Sequence, residues 1–248
     1  MTIIKGKSMA VIKGIQYNIK GLFLALKTPS LLILGLLRFF IILALAVAFS
    51  GFVLVWHDDI LTLIWTMPES GWMIYLWHVV SWLVFFILAA VSMVLAYLMA
   101  QVFFCVFIMD YMSRITERLH TGTEASDSGI SGLAWFFYLM RQEIPRAVIP
   151  VLVSLVIALV GLLTPLGAVF MVVSSLAACM FLAWDHTDLV AARRMQPFGT
   201  RFQFLKQNLG FHLGFGLFFL IPWLNILFLS YAPVGATLYI LDHEGRGN

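Results

Sequence analysis

Arg38 occupies the position in this 248-residue chain that most invites a chemical reading. It is the only Lys or Arg inside a long apolar run, where a charge costs about 3 kcal/mol on insertion scales and is functional by default. Two readings are open. Arg38 lies about seven residues into the run, near enough for its stem to carry the guanidinium back to the interface. The alternative is an anion contact near the entrance of a pore. Arg193 and Arg194, with Arg201 and Lys206, form a second basic group between apolar segments. They suit either anchoring at an anionic leaflet or an electrostatic trap for an anion. Asn225 sits beside Pro222 at a break between apolar pieces. There its amide can serve freed backbone groups, and a half-helix starting after the break points its positive end at a cavity. The bland alternative is a tight Pro-Trp-Leu-Asn turn satisfied by its own side chain. The candidate anion path is therefore Arg38, Asn225, Arg193 and Arg194.

Other chemistry is thinner. Asp185-His186-Thr187-Asp188 is too generic for a metal site and reads as a solvated helix end. His78 and His212 lie in apolar helices as hydrogen-bonded packing residues. His57, Asp58 and Asp59 read as a polar loop. HExxH, GxSxG and GxxxxGK[ST] motifs are missing, as are paired intramembrane acids. No enzyme, catalytic residue, cofactor or metal site is expected, and no basic domain stands clear for nucleic acid. Cys105 and Cys179 lie in apolar runs without CxxC spacing and read as packing residues.

Composition sets the environment. Hydrophobic residues make up 62 % of the chain and charged residues 11 %, with a mean hydropathy of +0.99. A soluble domain carries about 25 % charged residues. The chain is expected to be an integral membrane protein, with the lipid bilayer as its first partner. The first long apolar run starts only at Leu31, after a basic stretch, which does not match a cleavable signal peptide.

The elements that position these residues follow from periodicity and length. Val11, Ile12, Ile15, Ile19, Leu22, Phe23 and Leu26 recur at helical steps, and Lys13, Lys20 and Lys27 fall seven apart. That predicts a basic amphipathic helix over 8–28, lying on a membrane surface or docked on the protein's own bundle. Residues 31–55 predict one tilted span. Residues 73–119 predict a second, longer one, apolar to Met109 and amphipathic beyond. Two segments then share a broken design. Residues 148–184 are interrupted by Gly161-Leu-Leu-Thr-Pro165-Leu-Gly167, and residues 209–241 by Pro222-Trp-Leu-Asn225. Each reads as a short helical hairpin, and a charged cytoplasmic connector, 185–206, joins them. Broken helices leave unpaired backbone groups that a bilayer tolerates only where they are buried in protein or line a polar cavity, and paired interruptions point to a transport site. The expected fold is a single all-α membrane domain, 1–248: two long transmembrane helices, two short Pro-broken helical hairpins and an N-terminal amphipathic helix. If each hairpin returns to its starting side, all fifteen Lys and Arg except Arg38 share one side. The positive-inside rule makes that side, and both termini, cytoplasmic.

Several residues, in order along nearly the whole chain, carry a resemblance. Leu220-Ile-Pro222-Trp-Leu-Asn225-Ile-Leu, followed by Val234-Gly235-Ala236-Thr237, resembles the CysZ-type sulfate permease family, which shares its domain with the etoposide-induced proteins. Gly21-Leu22, Lys27-Thr-Pro29, Glu117-Arg-Leu119, Asp188, Arg193-Arg194, Phe198 and Arg201 fit the same pattern. The resemblance implies two long helices with two partly penetrating hairpins, assembly as a homo-oligomer, a bacterial inner membrane location, and passage of sulfate or another small anion by a channel or secondary permease. The chain departs from the family at two places. The arginine pair that sulfate-handling members resemble one another in having falls here on Leu32 and Ile33, so that contact is not carried over; Arg38, a turn deeper, is the residue placed to substitute. A proline usual after the Asn turn is replaced by Ser230, with Pro233 three residues on. A diverged, non-transporting member acting in membrane organisation or assembly is the competing expectation.

Overall fold

Only helices form among the described residues of the computed structural model, which are 2–123, 132–221 and 224–245, with side chains from residue 9 onward. In chain order they are α1 (Thr2–Lys27), α2 (Pro29–Ile64), α3 (Gly71–Ala100), a π-helical turn (Gln101–Cys105), α4 (Val106–Thr121), α5 (Gly132–Leu162), α6 (Gly167–Arg193), α7 (Phe198–Gln207), α8 (Leu209–Gly216) with a 3-10 turn (Leu217–Leu220), and α9 (Leu224–Glu244). The Pro222-Trp223 part of the second break and most of the polar loop before α5 lie outside the described residues.

Among the described residues, five helices are long and apolar enough to cross a membrane: Pro29–Ile64, Gly71–Thr121, Gly132–Leu162, Gly167–Arg193 and Leu224–Glu244. The arms on either side of the first break thus have 31 and 27 residues, about 46 and 40 Å of helix, longer than the hairpin 148–184 provides. The extra length comes from the aromatic stretch around Trp135 and from Asp185–Arg193, which continue the helices instead of ending them. Pro145 and Pro150 both sit inside α5 without terminating it. His57, Asp58 and Asp59, expected in a loop, are helical within α2. His57 Nδ1 lies 2.9 Å from Asp58 Oδ1 and its Nε2 3.2 Å from the Ser81 carbonyl, so the ring has polar neighbours although it is helical.

The chain divides into two compact units, 40–104 and the remainder. The smaller unit is a helical hairpin. The Trp77 indole donates to the Trp65 carbonyl (3.0 Å) near its turn, and Phe52, Leu54, Val55, Val79, Trp82 and Phe86 are exposed. Such an apolar exterior is the surface a bilayer requires.

The larger unit holds the core: Tyr17, Ala183, Val190, Phe211, Phe215, Phe219, Phe228, Ala232, Ala236, Tyr239 and Ile240. Phe211 stacks on Tyr239 (centroids 3.5 Å apart) and Phe218 on Phe228 (4.1 Å). α1 docks here, on α8 and α9, through a face the apolar periodicity selects only in part: Ile19 and Leu22 pack against the core, but small and polar residues form its centre. Its buried residues are Gly14, Tyr17, Asn18, Gly21 and Ala25, whereas Ile12, Phe23 and Leu26 are exposed. Small residues let helix backbones approach closely in a bilayer, where apolar side chains gain nothing by leaving the lipid. Gly21 faces the backbone of Gly235, and Gly14 that of α8, so closely that a Cβ on either would collide with main-chain atoms. Asn18 Nδ2 donates to the Phe215 carbonyl (2.6 Å) and the Tyr17 hydroxyl to Asp242 (2.5 Å). Lys13, Lys20 and Lys27 remain exposed.

Candidate functional site

Glu143 and Arg146 are three apart on α5, and Asp185 and Asp188 three apart on α6, so each pair shares one helix face. The antiparallel packing of α5 on α6 brings the two faces together. Arg146 is held by Glu143, by Asp185 (3.2 Å) and by Asp188 (3.3 Å). Arg201, on α7, closes the group: its Nη1 pairs with Asp188 (2.8 Å) and its Nη2 donates to Gln142 Oε1 (2.6 Å). Burial pushes the Arg201 guanidinium below its usual range, with Asp188 opposing the shift. All five charged side chains are buried. The expectation that Asp185–Asp188 is a solvated helix end is therefore overturned, because Arg146 and Arg201 replace the water these carboxylates would need.

Arg38 completes the charge balance. It is 3 % exposed, so it does not snorkel out to the interface. Its Nη1 donates to the Leu229 carbonyl on α9 (2.7 Å), and its charge acts on Asp185, His186 and Cys105. Arg38, Arg146 and Arg201 thus stand against Glu143, Asp185 and Asp188, three cations to three anions. The roles differ, however. Arg146 and Arg201 are bound to carboxylates, whereas Arg38 is held by a neutral carbonyl, and its Nε has no hydrogen-bond partner among the described residues. His186, 1 % exposed, likewise has no hydrogen-bond partner among them for either ring nitrogen.

Arg193 and Arg194 belong to a separate network. Buried Arg193 pairs with Asp110 (3.3 Å) and Glu117 and donates to Ser113 Oγ (3.1 Å). Arg194 grips Glu244 through Nη1 (2.6 and 2.7 Å) and reaches Glu117 (3.4 Å). The hydrogen bond to Glu244 holds the Arg194 guanidinium above its usual range. These pairs tie the ends of α6 and α9 to α4, and Thr237 adds a hydroxyl bond to Ser113 (2.8 Å). Asn225, half-buried, contributes its backbone N–H to the Ile221 carbonyl (2.9 Å) and so starts α9. Of the four candidates, then, Arg38 lies in the charged cluster and reaches α9 at Leu229, Asn225 opens that helix, and the Arg193–Arg194 pair is joined to α4. His212 proves a packing histidine, between Thr187 Oγ1 (2.9 Å) and the Asn208 carbonyl (2.8 Å).

Residues 17–230 match the family described as sulfate transporter CysZ/etoposide-induced protein 2.4. The chain belongs to this family. No curated protein sequence matches it. The CysZ match encloses every residue of the two charge networks except Glu244 and Thr237, and it ends at Ser230, three residues before Pro233. Glu143, Arg146, Asp188 and Arg201 were not legible as a set, because α5 and α6 partners such as Arg146 and Asp188 lie 42 residues apart. The readable signal was the repeated i, i+3 spacing of opposite charge on α5 and like charge on α6, beside apolar stretches that leave water no access.

Proposed function

We propose that this CysZ-family membrane protein passes a small oxyanion of the sulfate type across a bacterial inner membrane, as a channel or secondary permease with no catalytic step. The observation that carries the reading is Arg38: a buried guanidinium in an apolar helix, anchored by a carbonyl and not by a carboxylate, with Nε uncommitted among the described residues. Its charge is balanced within the cluster and not by a direct ion pair among the described residues, and in a low-dielectric setting attraction between such a cation and a divalent anion is far stronger than in water. Its guanidinium presents the planar fork that oxyanions accept. The family description points to the same substrate class. Arg146 and Arg201, bound to carboxylates, act as the frame that holds α5, α6 and α7 around it.

In this reading α2 and the α3–α4 helix cross the bilayer, while α5–α6 and α8–α9 enter and return as hairpins. Both termini are cytoplasmic, and copies assemble as a homo-oligomer. Single cysteines at Asp58 and Gly245, in a background lacking Cys105 and Cys179, test the topology. A membrane-impermeant maleimide should label them from opposite sides; labelling of both from one side refutes it. For transport, purified protein in liposomes should take up sulfate above the level of empty vesicles. Uptake no higher than in empty vesicles, for sulfate and for other oxyanions, would leave a membrane-organising role as the account of the chain.

A further inference from the structure

Pro233 lies inside α9. A prolyl nitrogen carries no hydrogen, so the carbonyl four residues earlier loses its helical donor. That carbonyl belongs to Leu229, the group to which Arg38 donates at 2.7 Å. A backbone carbonyl left unpaired in a membrane protein must find a donor elsewhere, and here the donor comes from α2. The two halves of the contact need each other. Without Pro233 the carbonyl would be spent on its own helix, and without Arg38 it would be bare.

We infer that Pro233 is the positioning residue for Arg38. By withholding one backbone N–H it creates a neutral acceptor that fixes the guanidinium without cancelling its charge, leaving Nε for an oxyanion. A carboxylate anchor would fix the side chain equally well, and it would neutralise the charge an anion needs. The functional half of this inference rests on the reading of Arg38 as an anion contact; the structural half stands on the geometry alone.

The experiment is a double-mutant cycle of Arg38→Gln and Pro233→Ala, read two ways. In thermal unfolding of the detergent-solubilised protein, Arg38→Gln should lower Tm at least about twice as much in the wild-type background as in Pro233→Ala, where the backbone N–H restored at position 233 can serve Leu229. Equal losses in both backgrounds overturn the link. If Arg38→Gln does not fold, Arg38→Lys supplies the same cycle. In sulfate uptake by proteoliposomes, Pro233→Ala should raise the half-saturating concentration several-fold while keeping the maximal rate, and should add nothing once Arg38 is Gln. A change in Tm with an unaltered half-saturating concentration reduces Pro233 to a packing residue. Absence of uptake by the wild type removes the transport reading, while the Tm cycle still decides whether Pro233 holds Arg38.

Discussion

Arg146→Met is expected to destabilise the larger unit by about 3–5 kcal/mol, the range for stripping one partner from a buried ion pair. The reason is geometric. Arg146 is enclosed by Glu143, Asp185 and Asp188, all buried. Removing the guanidinium takes one ion-pair partner from each of three buried carboxylates, while Asp188 keeps its pair with Arg201. Methionine supplies volume and no charge, so the loss reports electrostatics and not a cavity. Adding Glu143→Gln and Asp185→Asn should recover part of it, because fewer buried negative charges then face one another. Arg194→Met makes the contrast. Its side chain is 37 % exposed and its partner Glu244 44 %, so water screens the pair, and the change should cost no more than about 1 kcal/mol. Thermal unfolding of the wild type and these variants in detergent orders them. A loss for Arg146→Met no greater than for Arg194→Met would show that the cluster does not hold the helices together.

Gly21→Leu should separate α1 from α9, with a destabilisation above the roughly 1–3 kcal/mol usual for an overpacked site. A Cβ at Gly21 would overlap the N and Cα of Gly235. These are main-chain atoms that cannot swing aside as a side chain would. Even Gly21→Ala should destabilise, although alanine is favoured over glycine inside a helix by about 1 kcal/mol. Gly51→Ala isolates that propensity gain, since a Cβ there meets nothing within 4 Å; it should be neutral or slightly stabilising. Opposite signs of the Tm change at Gly21 and Gly51 are the expected result. A stabilising Gly21→Ala would contradict the close approach of the two backbones.

α1 shows why part of this fold was legible and part was not. Its helical periodicity was plain in the sequence. Its docking face was legible only in Ile19 and Leu22, which pack on the core, because the apolar residues that mark a buried face in water lose much of that meaning beside lipid. Ile12, Phe23 and Leu26 turn outward, and Gly14, Asn18 and Gly21 turn in. The first break was legible for a local reason: Gly161, Pro165 and Gly167 bracket the interruption between α5 and α6. The continuation of α6 through Asp185–Asp188 was not, since charge alone argues for water. Distant partners, Arg146 and Arg201 among them, make burial tolerable. Arg38 stood out from composition, yet whether it snorkelled or stayed buried depended on the Leu229 carbonyl, 191 residues away. The reason that carbonyl is free lies in one residue, Pro233, which reads in the sequence only as a displaced proline.

Sulfate uptake into proteoliposomes bearing wild type, Arg38→Lys or Arg38→Gln decides whether Arg38 contacts a transported anion, with elution profile and Tm recorded to confirm that each protein is folded. The expected result is saturable uptake by the wild type above empty vesicles, a partial loss for Arg38→Lys, and a fall of roughly tenfold or more for Arg38→Gln, in line with losing a charge-assisted hydrogen bond worth about 1.5–3 kcal/mol. Wild-type uptake equal to that of empty vesicles, or undiminished uptake by folded Arg38→Gln, would contradict it.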